Sequence, residues 1–147
     1  MTKTALLDVN VLTALLWPAH EHHAAAHHWM NKRANAAWST CALTQLGFVR
    51  LVSNPAFSRE SLLPAEASRL LEKNLSHPNH RFWVADITVP HALQPFGSRM
   101  QGHRQATDAY LLALAHNNGG VLATFDRGLR SLVSGEIERN LEIVPAG

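Results

Sequence analysis

The sequence predicts an α/β fold, a three-layer α/β/α sandwich on a central, mainly parallel sheet, and three observations lead there. The hydrophobic period switches repeatedly between about two and about 3.6 residues. The strand-like runs are short and nearly all apolar, as in sheets covered on both faces. Helical segments separate them, as parallel connections require. With 147 residues and 46% hydrophobic side chains, the chain can bury one real core, so a single domain over residues 1–147 is expected.

Each element follows from its local pattern. Thr4 to Val9 reads as a short buried strand, after which Val11, Leu12, Leu15 and Leu16 keep helical spacing until Pro18. His20 to Lys32 reads as a second helix and Ala37 to Cys41 as a strand. Ala42 to Val52 reads as a helix stopped by Asn54-Pro55. A loop to Pro64 leads into the amphipathic "AEASRLLEKNL", and "RFWVADI" then supplies a strand of aromatic and branched residues. Residues 90–104 are the least regular stretch. "QATDAYLLALAHNNGG" is a helix with an Asn-Gly-Gly stop, "VLATF" a strand, "DRGLRSLV" a turn or helix, and "LEIV" a last strand.

Composition narrows the function classes. The formal net charge is only +2 with ten histidines, and the isoelectric point is about 9.1, a balance that permits an anionic partner. Cys41 is the lone cysteine, which rules out an internal disulfide or a multi-cysteine metal site and suits a reducing cytoplasm. Asp8 and Asn10 interrupt the apolar run near the N-terminus, so it does not read as a signal peptide. No apolar stretch is long enough for a membrane helix.

The carboxylate inside "LLDVNVL" is the most informative oddity. In open parallel sheets the ligand crevice lies at the carboxyl ends of the strands, where the following helices begin. Asp8 and Asp126 each come just after a strand. Asp108 lies in the first turn of its helix, on the same stripe as Leu111, Leu112 and Ala115. Gln45 is placed similarly, early in the helix after "WSTC". Three carboxylates crowded at one edge raise each other's pKa unless a cation is present, so a divalent metal resolves the conflict. The competing reading is local: Asp108 and Asp126 can favour helix N-termini, and Asp8 and Asp86 can close turns.

In order along the chain, "LLDVNVL", "STCALTQLGFVRLVSNP", "QATDAYLLALA" and "LATFDRGL" resemble the successive motifs of PIN-domain ribonucleases, specifically the VapC-type toxins of bacterial toxin–antitoxin pairs. The likeness spans nearly the whole chain. It implies a PIN-like α/β/α sandwich, an acidic Mg²⁺ or Mn²⁺ site, RNA as substrate and a small protein antitoxin that blocks the site. By that resemblance Asp8, Asp108 and Asp126 are metal-site acids. Where most of the family has a glutamate early in the second motif, this chain has Gln45. An amide can still offer a carbonyl oxygen, but it removes one negative charge.

The chemistry fits the residues independently of the resemblance. A phosphodiester repels an anionic nucleophile, so hydrolysis needs a cation to neutralise phosphate oxygens and activate water, and carboxylates are the right ligands for Mg²⁺ or Mn²⁺. Gln45 joins the three aspartates as a catalytic candidate, and in-line attack by water would leave a 3′-hydroxyl and a 5′-phosphate. With three acids committed to metal, thirteen Lys and Arg face eight remaining acids, an excess that favours a polyanion. Arg99 and Arg104, with His103 between them in the irregular segment, and Asn10 beside Asp8 are the candidate RNA contacts. Arg50 is a weaker candidate, able instead to pair with an acid.

His20, His23 and His27 fall on one face of the expected second helix, but no motif supplies a further zinc ligand, and a solvated or partner-facing helix is the better reading. Trp17, Trp29 and Trp38 read as core or dimer-interface residues, and a homodimer is expected. Two other classes stay open: an aspartate-nucleophile phosphatase, against which Asn10 stands where a second aspartate is needed, and a catalytically impaired RNA- or partner-binding protein marked by Gln45.

Overall fold

The computed structural model describes residues 2–147. Five short strands, β1 (Ala5–Leu7), β2 (Trp38–Thr40), β3 (His80–Phe82), β4 (Val121–Thr124) and β5 (Leu141–Ile143), form one sheet in the order β3-β2-β1-β4-β5. Every neighbouring pair is parallel, with Leu6 opposite Ser39 on one side and Leu122 on the other. The helices are α1 (Val9–Leu16), α2 (His23–Lys32), α3 (Ala42–Val52), α4 (Pro64–Leu75), α5 (Val89–Leu93) and α6 (Gln105–Asn117). The expected three layers are therefore present.

Strand alternation builds two cores. Ala5, Leu7, Val121 and Ala123 face one side and pack with Val11, Leu12, Trp29, Phe48, Val52 and Leu71 of α1 to α4. Leu6 and Leu122 face the other side and pack with Leu111, Leu112, Leu114 and Ala115 of α6. Both faces are buried, which is why these strands read as unbroken apolar runs. Trp29 and Trp38 are core residues, and the half-buried Trp17 packs against the same core.

Several boundaries move for identifiable reasons. The second helix starts at His23 rather than His20, because His20 to His22 form a turn in which the His22 N–H donates to His20 Nδ1 at 3.0 Å. His20, His23 and His27 therefore do not share a helix face. His23 and His27 instead reach the exposed carbonyls of the last turn of α1, Nδ1 to Ala14 O at 2.7 Å and Nε2 to Leu15 O at 2.9 Å, and so satisfy groups a helix C-terminus leaves open. The strand expected over 81–87 ends at Phe82. It is an edge strand, and its last ladder bond, Trp83 N–H to Thr40 O at 2.9 Å, leaves 83–88 to follow another course. The stretch 90–104 is more regular than expected, carrying most of α5 and a 3-10 turn at Gly97–Arg99. Further 3-10 turns occupy Arg127–Leu132 and Gly135–Asn140. The helix stop after α6 is as expected, with Gly119 at φ +67°, a conformation glycine adopts without strain.

Candidate functional site

The central strands β1 and β4 lie side by side, but the chain leaves β1 toward β2 and leaves β4 toward β5. Their carboxyl ends thus form a topological switch point, where open parallel sheets leave a crevice. Asp8 follows β1 and its N–H donates to Ala123 O at 2.9 Å. Asp126 follows β4 by two residues.

The Thr124 hydroxyl, wholly buried at the end of β4, organises this edge. It donates to Asp8 Oδ2 at 2.8 Å and accepts from Asn10 Nδ2 and from the Asp126 N–H, each at 3.1 Å. Its one proton and both lone pairs are then in use. Asp8 Oδ1 caps α1 by accepting the Val9 N–H at 2.8 Å, and Asp126 Oδ1 accepts the Gly128 N–H at 2.8 Å. Capping thus accounts for part of two aspartates. It does not account for Asp108, which is half-buried in the first turn of α6 and has no hydrogen-bond partner among the described residues.

Electrostatics couple the three. Burial first, and then the negative charges of Asp8 and Asp126, together push the Asp108 carboxyl up to about 6. Burial likewise raises Asp8, opposed by its bonds to Thr124 and Val9 and reinforced by Asp126. The sequence expectation that these acids share one edge within Coulombic reach therefore holds in the structure. Among the described residues no three His, Cys, Asp or Glu side chains are drawn together as a finished metal cage. The donor set nevertheless fits a hard divalent cation: carboxylate oxygens only, one of them on a side chain with nothing to bond, and an excess of negative charge that raises proton affinity.

The other candidates fall in different places. Gln45 is at the same edge, in the first half of α3, but it bonds no aspartate; its Nε2 donates to Thr40 Oγ1 at 3.0 Å. Asn10 is braced on both sides, Nδ2 on Thr124 and Oδ1 accepting the Phe125 N–H at 3.3 Å, and so ties α1 to β4. Arg99 and Arg104 are exposed and take no ion pair among the described residues. Arg50 falls in the last turn of α3, exposed and without an ion pair among the described residues, so the pairing with an acid offered for it is not formed. Asp86 is exposed in the segment after β3. Sequence reasoning missed Thr124, although a hydroxyl closing an apolar strand two residues before Asp126 was a readable signal.

Comparison with known proteins places this geometry. The family model of the PIN domain matches residues 5–133. The chain is 44% identical over 133 residues to Ribonuclease VapC39 of Mycobacterium tuberculosis, covering 89% of this chain and 94% of that protein. It is 39% identical over 140 residues to Ribonuclease VapC38 of the same organism, covering 95% and 97%. The crystal structure of FitAcB from Neisseria gonorrhoeae shares the fold, with a TM-score of 0.56 at 20% identity over 94% of this chain and 96% of that one. A sheet whose switch point gathers three aspartates, a family model spanning most of the chain and relatives aligned over nearly their full length agree: the chain belongs to the PIN-domain family, among the VapC ribonucleases.

Proposed function

We propose that this chain is a divalent-metal-dependent endoribonuclease and the toxin of a toxin–antitoxin pair. The observation that carries the reading is Asp108, a half-buried carboxylate without a hydrogen-bond partner among the described residues, whose proton affinity is raised by burial and then by Asp8 and Asp126. Capping explains nothing about such a group, whereas a shared cation would. Asp8, Asp108 and Asp126 would hold Mg²⁺ or Mn²⁺, which when bound supplies charge neutralisation for the scissile phosphate and acidifies water for in-line attack.

The chain's own residues do the rest. Thr124 and the Val9 N–H fix both oxygens of Asp8, so its free lone pairs point the same way in every molecule. The Gly128 N–H and the Thr124 hydroxyl hold the Asp126 turn. Arg99 and Arg104, exposed and unpaired, are available to backbone phosphates on either side of the cut. No covalent enzyme intermediate is required. A small antitoxin protein that covers the acidic edge is the expected partner, along with a second copy of the chain. One observation favours a different reading, an RNA- or partner-binding protein that does not cut: Gln45 brings no charge and spends its amide nitrogen on Thr40.

The test is incubation of the purified, partner-free protein with a broad pool of cellular RNA. Cleavage with Mg²⁺ or Mn²⁺, products bearing 5′-phosphates and arrest by EDTA are expected. RNA that stays intact with either metal, while still being bound, overturns the nuclease reading in favour of the second. Relief of growth arrest by an adjacent short reading frame tests the toxin assignment.

A further inference from the structure

A hydrogen-bonded chain leads from Gln45 back into the sheet. Gln45 Nε2 donates to Thr40 Oγ1 at 3.0 Å, and Thr40 Oγ1 lies 2.7 Å from His80 Nε2. Thr40 is wholly buried at the end of β2, and His80 opens the neighbouring strand with its ring 4.8 Å from that of Trp38. A hydroxyl has one proton and two lone pairs, so Thr40 can donate to His80 or to Gln45 but not to both.

Two arrangements exist. If Nε2 of His80 carries no proton, Thr40 donates to it and must accept from Gln45, which points the amide nitrogen at Thr40 and leaves Oε1 facing away. If Nε2 carries a proton, it donates to Thr40, whose own proton is then free to turn to Oε1 of Gln45, and nothing holds the amide nitrogen on Thr40 in preference to its oxygen. Burial holds His80 below the ordinary imidazole range, and the positive charges available to Arg81 and His77 act in the same direction, so the ring is neutral at neutral pH. The Leu75 backbone carbonyl favours a ring proton, and with Nε2 on Thr40 that proton belongs on Nδ1. The first arrangement follows. Oε1 of Gln45 has no partner among the described residues.

We propose that Thr40 and His80 are positioning residues for Gln45: they fix its carboxamide with the nitrogen on Thr40, so that a carbonyl oxygen, rather than an amide N–H, is offered to water or a cation at the carboxyl edge of the sheet. The assignment rests on the nuclease reading only for the consequence of that orientation. The orientation itself is a property of the metal-free protein. A glutamate at position 45 has no N–H to give, so it would take the proton of Thr40 and leave that hydroxyl to accept from a protonated His80.

The experiment follows the His80 ring by NMR in ¹⁵N-histidine-labelled, metal-free full-length protein, in the native chain and in Gln45→Glu, Thr40→Val and Thr40→Ser. The native ring should be the Nδ1–H tautomer. In Gln45→Glu the neutral ring should change to the Nε2–H tautomer or its titration midpoint should rise by about one pH unit or more. In Thr40→Val the tautomer preference should weaken, and Thr40→Ser should restore it. With RNA and Mn²⁺, kcat should fall roughly 10- to 100-fold in Thr40→Val with little change in KM, and recover in Thr40→Ser. A native Nε2–H tautomer, or a His80 ring whose tautomer and titration are both unmoved by Gln45→Glu, overturns the relay. If the native protein cuts no RNA at all, the nuclease reading fails while the imidazole titration still decides the orientation.

Discussion

Asp108 concentrates the chemistry of the site at the scale of one residue. Its carboxyl is raised to about 6 by burial and by two neighbouring acids, whereas an unfolded chain would titrate near 3.8. Below the unfolded value it is neutral in both states and costs nothing. As pH rises through about 6 the folded protein must carry a charge that the unfolded chain carries more easily, so stability is lost across that window. Discounted for a half-exposed side chain, the loss is about 1–2 kcal/mol. Asp108→Asn should therefore flatten the thermal melt of the metal-free protein between pH 4 and 7, raise it at neutral pH and abolish RNA cleavage. A variant that melts lower than the parent at pH 7 would show that the carboxylate is structural. Thr124 is the opposite case, a group whose loss hurts the fold. Thr124→Val leaves Asn10 Nδ2 and the Asp126 N–H without their acceptor and Asp8 without its donor, for a cost of about 2–3 kcal/mol in denaturant melts. Thr124→Ser should recover most of it.

At the scale of elements, the site depends on how closely α1 and α3 approach. A Cβ on Gly47 would run into Val9 Cγ2, so the bare backbone of α3 sits against the first residue of α1, whose N–H caps onto Asp8. Helix propensity alone says that Gly47→Ala should gain up to about 1 kcal/mol. The collision costs about 1–3 kcal/mol and is relieved only by moving α1. Net destabilisation is expected in chemical denaturation, together with weaker Mn²⁺ binding by calorimetry, and adding Val9→Ala should reverse both. A stabilised Gly47→Ala would mean the two helices have room to spare. The same helix α1 is held at its other end by His23 and His27 on its last carbonyls, so the histidine-rich segment is used in fixing the element that carries Asp8.

At the scale of the whole molecule, several large apolar side chains are left in solvent, and two of them line one groove. Leu43, Leu46, Phe82, Val84 and Val89 are exposed, Leu46 to 60% and Val84 to 62%. Leu43 and Val89 also line an apolar groove of about 390 Å³ with Ala42, Ile87, Ala106 and Tyr110. Soluble monomers rarely leave such a face open, and a second copy of the chain is the occupant proposed here. Light scattering should give a dimer at micromolar concentration, and Leu43→Glu should give a monomer with unchanged circular dichroism. A native chain that stays monomeric removes the proposal. The groove borders the start of α6, beside Asp108, so a dimer through this face would also wall one side of the acidic edge.

The sequence by itself determined the architecture and singled out the candidate acids. Alternating periods sufficed for a parallel three-layer fold because burial on both faces of a sheet writes itself as short apolar runs such as "ALL" and "VLAT", and because Asn-Gly-Gly and Pro18 punctuate helices wherever they occur. Asp8, Asp108 and Asp126 were legible because a carboxylate flanked by core residues is costly without a partner. Only the tertiary structure decided which groups touch. Thr124, Asn10 and Asp126 meet through contacts across more than a hundred residues or around a turn, and nothing local marks a hydroxyl as shared by three neighbours. The structure likewise turned His23 and His27 from a solvated helix face into caps for α1, left Arg50 without an ion pair among the described residues, and joined Gln45 to His80 through Thr40. Periodicity reports which face of an element is buried. Hydrogen-bond direction and charge coupling depend on distances of a few ångströms between elements, and those are set only when the layers pack.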